Sequence, residues 1–171
     1  MRILFSSLAL ALLAAYPARA AELSVSIEVP KLNVASYHRP YVAAWIERPD
    51  QSVAADLAVW YDVDLKDGEG TKWLKDLRQW WRRSGRQQDF PVDGVTGATR
   101  PVGSCTLRFD DKNPPLATLP KGEYGLVVEA ARELGGRELL RIPFAWPPTQ
   151  SGHKTINGEH ELGAIKLDLA P

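Results

Sequence analysis

The sequence predicts an all-β fold, namely an antiparallel β-sandwich of the immunoglobulin or fibronectin type with one inserted amphipathic helix. Seven short segments alternate apolar and polar residues, which is the pattern of a strand with one face buried. The turns between these segments are rich in Gly, Pro, Asn and Asp. Only one segment has helical periodicity, so strands and helices do not alternate as they do in an α/β fold. Together these observations favour a sandwich.

The predicted strands follow one another along the chain. The first alternates strictly and is ended by Pro30, which cannot donate a backbone hydrogen bond to a neighbouring strand. In the third, Leu57 and Val59 are expected on one face and Ala58 and Trp60 on the other. The polar stretch 149–154 is predicted to be a loop. The predicted strands cover residues 23–29, 41–47, 53–64, 104–110, 125–131, 137–145 and 163–169.

One amphipathic helix is predicted between the third and fourth strands, over residues 71–83. Thr71 can cap its start and Gly85 can end it. Trp73 and Leu77 are expected to pack the helix against the sandwich, whereas Trp81 is equally suited to packing and to stacking on a bound ring. The apolar residues recur at i, i+1, i+4, i+7 and i+8 and form one stripe: Trp73, Leu74, Leu77, Trp80 and Trp81.

The first twenty residues have the features of a secretory signal peptide. Arg2 is followed by an apolar run to Ala15, and Ala18-Arg19-Ala20 has the small-x-small form that signal peptidase recognises. We therefore expect cleavage after Ala20 and export to the periplasm. Residues 21–171 have the length of a single domain. No apolar run is long enough to span a bilayer, so the exported chain is expected not to span the membrane itself.

Composition argues against several classes of function. Removal of residues 1–20 lowers the number of Lys and Arg from 21 to 19, against 21 Asp and Glu. Nucleic-acid binding needs a basic excess, which this chain lacks. The only cysteine, Cys105, excludes an internal disulfide and is expected to be buried because it lies at an alternating strand position. The spacing of His38, His153 and His160 does not favour a metal site, and no nucleophile–base arrangement is visible.

The most distinctive segment is Asp93-Gly94-Val95-Thr96-Gly97-Ala98-Thr99, which lies between the helix and the fourth strand. Thr99 offers a hydroxyl nucleophile. Gly97 and Ala98 are small, and glycine tolerates many backbone conformations, so this segment can enter the active site of another protein. Asp93 and Thr96 can cap a turn through side-chain to backbone hydrogen bonds. No histidine follows Thr99 closely, so an external enzyme with a metal ion has to activate the hydroxyl. An Asp-Gly turn without further function is the alternative interpretation.

This segment matches the pattern Asp-x-x-(Ser/Thr)-Gly-Ala-Thr and resembles the acceptor motif for covalent flavin. In that motif a FAD:protein FMN transferase links the phosphate of FMN to the last threonine, here Thr99. It is similar to the motif of the flavinylated subunits of sodium-pumping NADH:quinone reductase and Rnf complexes, which the rest of the chain does not resemble. About one chain of this length in a few thousand contains the pattern by chance. The resemblance implies an electron carrier rather than an enzyme.

A longer resemblance is carried by Asp93–Gly103, Lys72-Trp73-Leu74, Trp80-Trp81, Gly122-Glu123-Tyr124 and Val128–Gly136. On these segments the chain resembles the DUF2271 family of predicted periplasmic proteins. The resemblance implies association with an FMN transferase and with membrane redox proteins that contain PepSY-type domains. For a bound flavin, Trp80 or Trp81 can stack on the ring, and Arg82, Arg83 or Arg100 can pair with the phosphate.

The alternative function is that of a binding module. In this interpretation an immunoglobulin-like domain without catalytic activity docks on a membrane protein through its tryptophan-rich helix. The Asp93–Thr99 segment then serves only as a turn, and the protein carries no flavin.

Overall fold

Two β-sheets pack face to face around a common core, so the predicted all-β sandwich is confirmed. The computed structural model describes residues 20–171, and the predicted signal peptide lies outside these residues except for Ala20. The described strands are β1 Glu22–Val29, β2 Tyr41–Glu47, β3 Val53–Tyr61, β4 Thr96–Ala98, β5 Gly103–Asp110, β6 Gly122–Ala131, β7 Arg137–Trp146, β8 Gly152–Asn157 and β9 Ala164–Ala170.

The four-stranded sheet has the order β5-β1-β9-β8, and the five-stranded sheet has the order β4-β3-β2-β6-β7. All neighbouring strands among residues 20–171 are antiparallel except β3 and β4, which run parallel. Strict alternation in β1 turns Leu23 and Val25 towards the other sheet, where they join Val42 and Leu126 in the main core. A bulge in β3 opposite Ala44 and Trp45 adds Leu57 to the same core as Ala58.

The central strands of the five-stranded sheet, β2 and β6, are buried on both faces. Residues of β2 that point away from the main core, such as Ala43 and Trp45, lie in a second core with Leu74, Leu77 and Trp80. These last three residues belong to the helical segment between β3 and β4, which covers the outer face of the sheet. Because both faces are covered, β2 is almost continuously buried instead of alternating. The helical insertion therefore completes the fold.

The insertion is not the single helix predicted for residues 71–83. A 3₁₀ segment over Lys66–Asp76, kinked at Asp67 and Gly68 where φ is positive, ends before Leu77. The α-helix α1 spans Arg78–Arg83, and a second 3₁₀-helix spans Gly85–Gln87. The start of α1 has a specific cause. The buried carboxylate of Glu129 on β6 accepts hydrogen bonds from the backbone N–H groups of Gln79 and Trp80, at 3.0 and 2.8 Å. A carboxylate at this position satisfies the first free N–H groups of a helix.

The predicted apolar stripe is buried only in part. Leu74, Leu77 and Trp80 are fully buried and Trp81 is half-buried, but Trp73 is 53% exposed. The expectation that Trp73 packs the helix on the sandwich is therefore wrong. The stripe does not lie along one helix, because Leu77 has a non-helical ψ of 67° and separates the 3₁₀ segment with Trp73 from α1 with Trp80 and Trp81.

Two strands were not predicted, and one was predicted too long. β8 occupies part of the stretch expected to be a loop, and its side chains are exposed except for the half-buried Ile156, so it lacks apolar alternation. β4 has only three residues and lies inside the motif. The third strand ends at Tyr61 rather than at residue 64. Cys105 packs against the main core but is only half-buried.

Candidate functional site

The Asp93–Thr99 motif forms the edge of the five-stranded sheet. Its strand β4 pairs in parallel with the last three residues of β3. The backbone N–H of Val59 donates to the carbonyl oxygen of Val95 at 2.9 Å, and the N–H of Thr99 donates to the carbonyl oxygen of Tyr61 at 3.1 Å. The motif is therefore part of the sheet, because this pairing fixes its register up to Thr99.

A tight turn leads into β4. The hydroxyl oxygen of Thr96 accepts a hydrogen bond from the N–H of Val92 at 2.8 Å, so Thr96 caps this turn as the sequence predicts. Asp93 does not cap the turn, because its exposed carboxylate has no hydrogen-bond partner within residues 20–171. Gly94 adopts a φ of +69°, a conformation that favours glycine. The turn thus depends on Thr96 and Gly94.

Gly97 has a different role from the one expected. Its backbone is not in the left-handed region, so conformational freedom does not explain the residue. A Cβ at this position would lie 3.2 Å from Cδ1 of Trp60 and 3.4 Å from Nη2 of Arg100. Glycine is therefore favoured here, because a Cβ would crowd two side chains that pass close to the strand.

Thr99 lies on the wall of a cavity of about 710 Å³. This volume is within the range of small-molecule sites. The walls come from the β1–β2 loop with the start of β2, the segment after β3, the first 3₁₀-helix, the end of β4 with Thr99, and the end of β6 with the β6–β7 turn. The lining residues are Tyr37, His38, Arg39, Tyr41, Asp62, Asp64, Leu65, Trp73, Asp76, Ala98, Thr99, Ala131, Arg132, Glu133 and Leu134.

Large apolar side chains are exposed around this cavity. The exposed fraction is 38% for Tyr37, 40% for Leu65, 53% for Trp73 and 83% for Leu134. The ammonium group of Lys75 lies 5.9 Å from the centre of the Trp73 ring, a cation–π contact that restrains the indole. The cavity therefore has an aromatic surface among the same lining residues as Thr99.

The charged lining is mainly acidic. Arg132 is held by Glu161 through two hydrogen bonds of 2.8 and 3.1 Å, and both side chains are almost fully buried, so this guanidinium is already paired. His38 Nδ1 lies 3.4 Å from a carboxylate oxygen of Glu133. Burial, partly opposed by a hydrogen bond with the backbone of Asp62, raises the pKa of Tyr41 above its ordinary value. The acidic residues of the lining are Asp62, Asp64, Asp76 and Glu133.

The structure brings only some of the predicted site residues to the cavity. Thr99 and Ala98 line it. Trp81 does not, and packs instead against Trp80 with ring centres 6.4 Å apart. Arg100 does not either, since its guanidinium lies 5.1 Å from the ring centre of Trp60, a main-core residue. Its Nε is buried without a hydrogen-bond partner within residues 20–171.

Trp73 is the aromatic residue that sequence reasoning assigned to the core and that the structure places at the cavity. One signal in the sequence was available. Trp73 lies in a stretch, Lys72–Asp76, whose other residues except Leu74 are charged, and the stripe contains more tryptophan than one helix face needs. The Thr99 hydroxyl forms no hydrogen bond with any residue in 20–171. An unengaged hydroxyl beside an aromatic cavity can act as an attachment point for a group that then occupies the cavity.

Comparison with family models matches residues 22–164 to DUF2271, described as a predicted periplasmic protein. The match covers most of the chain. Searches of curated proteins and of solved structures gave no match. Residues 20–171 contain no helix with both the length and the hydrophobicity to cross a membrane.

Proposed function

The chain belongs to the DUF2271 family, and we propose that it is a periplasmic electron carrier that holds FMN covalently on Thr99. One observation carries the proposal. Thr99 ends the acceptor-like motif and lines a cavity large enough for a cofactor, and its hydroxyl is free of hydrogen bonds within residues 20–171.

The motif is accessible to a modifying enzyme. Asp93, Gly94 and Ala98 are exposed, and β4 is an edge strand, so one side of its backbone has no partner strand. Only a three-residue pairing holds β4 to the sheet. Local opening of so short a strand costs far less than global unfolding, which lets the transferase reach Thr99 in the folded protein.

FAD donates the FMN group in the attachment step. The oxygen of the Thr99 hydroxyl attacks the phosphorus of the FMN half of FAD, and the bond from that phosphorus to the bridging oxygen breaks. AMP leaves with the bridging oxygen, and the hydroxyl proton is released. No residue of the motif is placed to act as the base, so the metal ion and the base belong to the transferase.

The bound FMN supplies reversible uptake of two electrons and two protons. The electrons come from the reduced centre of a membrane reductase, for which a PepSY-type protein is the proposed candidate, and pass to an oxidised extracytosolic redox protein. This chain supplies a covalent anchor at Thr99 and a rigid sheet behind it. Thr99 directly follows the edge strand β4, so the site is open both to the electron donor and to the electron acceptor.

A second candidate is a binding module without flavin, and one observation favours it. Trp73 and Leu134 are exposed on the same cavity, and exposed apolar clusters often mark protein-binding surfaces. In that case a membrane protein covers the cavity and the Thr99 hydroxyl has no chemical role.

The two candidates differ in a denaturing gel. We expect the protein, exported from cells that also express an FMN transferase, to show flavin fluorescence after electrophoresis, because only a covalent flavin survives denaturation. Thr99→Ala should abolish this fluorescence. Ser104→Ala, which removes an exposed hydroxyl outside the motif, should leave it unchanged. A dark wild-type band would favour the binding module.

A further inference from the structure

The exposed apolar side chains of this protein are concentrated at one place. Seven large hydrophobic side chains are exposed among residues 20–171, and four of them line the cavity beside Thr99. Scattered exposed hydrophobic residues need no explanation, but a cluster around a concave surface indicates a ligand or partner that covers it. The four residues are Tyr37, Leu65, Trp73 and Leu134.

The conformation of Leu134 is a second, independent observation. Leu134 has a φ of +54° in the β6–β7 turn, in the left-handed region that a bulky side chain seldom adopts. The turn is fixed in place, since Arg132 is tied to Glu161 and the N–H of Gly136 donates to the same carboxylate at 2.7 Å. A leucine held at a cost and left 83% exposed on a rigid turn is typical of a residue retained for binding.

The charges around the cavity restrict what it can hold. Four carboxylates line it, those of Asp62, Asp64, Asp76 and Glu133, whereas of the two lining arginines Arg132 is already paired and only Arg39 has no ion pair within residues 20–171. An anion inside this cavity would be repelled by these carboxylates. An uncharged, flat, largely apolar group suits the aromatic walls better.

We propose that this cavity seats the isoalloxazine ring of the flavin carried on Thr99 and that Trp73 is the side chain on which the ring stacks. The inference rests on the proposed function, and it adds a ring-binding site made of residues outside the acceptor motif. The phosphoester stays at the cavity wall, on Thr99. Because attachment keeps the ring beside the cavity, at an effective concentration on the order of millimolar, even weak affinity is sufficient to occupy it.

Flavin fluorescence tests the inference, because stacking on an indole quenches it. In the flavin-bearing wild-type protein we expect emission several-fold weaker than from the same flavopeptide released by proteolysis. Trp73→Ala should restore most of this emission, and Trp73→Phe should restore less of it. Trp81→Ala is the control, since Trp81 does not line the cavity. The 53% exposure of Trp73 makes unfolding of its variants unexpected, and circular dichroism checks this.

Leu134→Gly gives a result that a purely structural role would not produce. Glycine suits the left-handed backbone, so we expect the melting temperature to rise. Loss of the side chain should at the same time increase the flavin emission, because the ring loses a contact in its binding site. Asp67→Gly is the matched control, as Asp67 has a φ of +57° and does not line the cavity. Asp67→Gly should raise the melting temperature without changing the emission.

The failure of this inference can be distinguished from the failure of the proposed function. If mass spectrometry finds FMN on Thr99 but the emission equals that of the free flavopeptide, or does not respond to Trp73→Ala, the ring-binding site is overturned. That result does not overturn the proposal that the protein is a flavin carrier. If no FMN is attached, riboflavin is titrated into the unmodified protein. If the wild type quenches riboflavin emission and Trp73→Ala does not, the ring-binding site is supported without a covalent link. Absence of quenching, or quenching that persists in Trp73→Ala, overturns the ring-binding site.

Discussion

Thr99 and Trp73 line the same cavity although one follows β4 and the other lies on the first 3₁₀-helix. The motif sequence identified Thr99 as a candidate attachment residue, because a hydroxyl after a slim Gly-Ala pair is visible without a structure. Trp73 was assigned to the core, because the spacing of the stripe assumed an α-helix. Arg100 and Trp81, which were expected to serve the flavin, contact Trp60 and Trp80 instead. Residue roles that depend on direction in space were therefore not predictable from spacing alone.

The two glycines of the motif should respond to substitution for different reasons. Gly94→Ala is expected to destabilise the fold by about 1–2 kcal/mol, because its φ of +69° is unfavourable for alanine, and Gly94→Asn should cost less. Gly97→Ala should cost about 1–3 kcal/mol through crowding of Trp60 and Arg100. Urea unfolding measures both. If Gly97→Asn is also better tolerated than Gly97→Ala, backbone conformation rather than crowding governs that position.

Glu138 links stability to pH. Burial by itself raises the pKa of this carboxyl, but hydrogen bonds from the N–H groups of residues 159–162 outweigh it and lower the pKa below its ordinary value. A carboxyl with a lowered folded-state pKa contributes stability above its unfolded pKa of about 4.3, and this contribution is lost as the pH falls through the folded-state pKa.

We therefore expect Glu138→Gln to lower the free energy of unfolding by about 1–3 kcal/mol at neutral pH. The difference from wild type should shrink in acid, as Glu138 becomes protonated in the wild type. Denaturant unfolding across this pH range measures the effect, and Glu133→Gln, at a mostly exposed carboxylate, is the control. A difference that stays constant with pH would contradict the assignment.

At the scale of elements, the strands with alternating sequence were predicted well and the helical insertion was not. Alternation reports a strand with one buried face, so β1 and β5 were evident from their sequences. The break at Leu77 depends on Glu129, a residue of β6 that lies far away in the sequence. β4 exists only because β3 offers it a parallel edge. Contacts of this kind leave no local signal.

Glu129 should control the formation of α1. It is fully buried, accepts hydrogen bonds from Gln79 and Trp80, and forms an ion pair with Arg137 at 2.8 Å. Glu129→Ala leaves these N–H groups without an acceptor, and we expect a loss of about 1–3 kcal/mol in the free energy of unfolding.

Guanidinium unfolding monitored by tryptophan fluorescence suits this test, because Trp80 lies at the start of α1. Glu123→Ala is the matched control, since Glu123 is an exposed carboxylate on the same strand. Equal stability of the two variants would show that Glu129 does not anchor the helix.

At the scale of the whole molecule, the insertion and the motif form one unit with the five-stranded sheet. The helical segment closes the second core on the outer face of that sheet, and the same segment carries Trp73 to the cavity beside Thr99. The fold thus connects packing with the candidate site. Composition and alternation predicted the sandwich, whereas the double burial of the sheet follows from a tertiary contact that the sequence does not state.

The mass of the exported protein tests the central claim most directly. The protein should be co-expressed with an FMN transferase, and the intact mass and the modified peptide of wild type, Thr99→Ala and Ser104→Ala should be measured. We expect wild type and Ser104→Ala to gain the mass of one FMN less one water, with the adduct on Thr99, and Thr99→Ala to remain unmodified. An unmodified wild type, or an adduct that persists in Thr99→Ala, would contradict a flavin carrier anchored at Thr99.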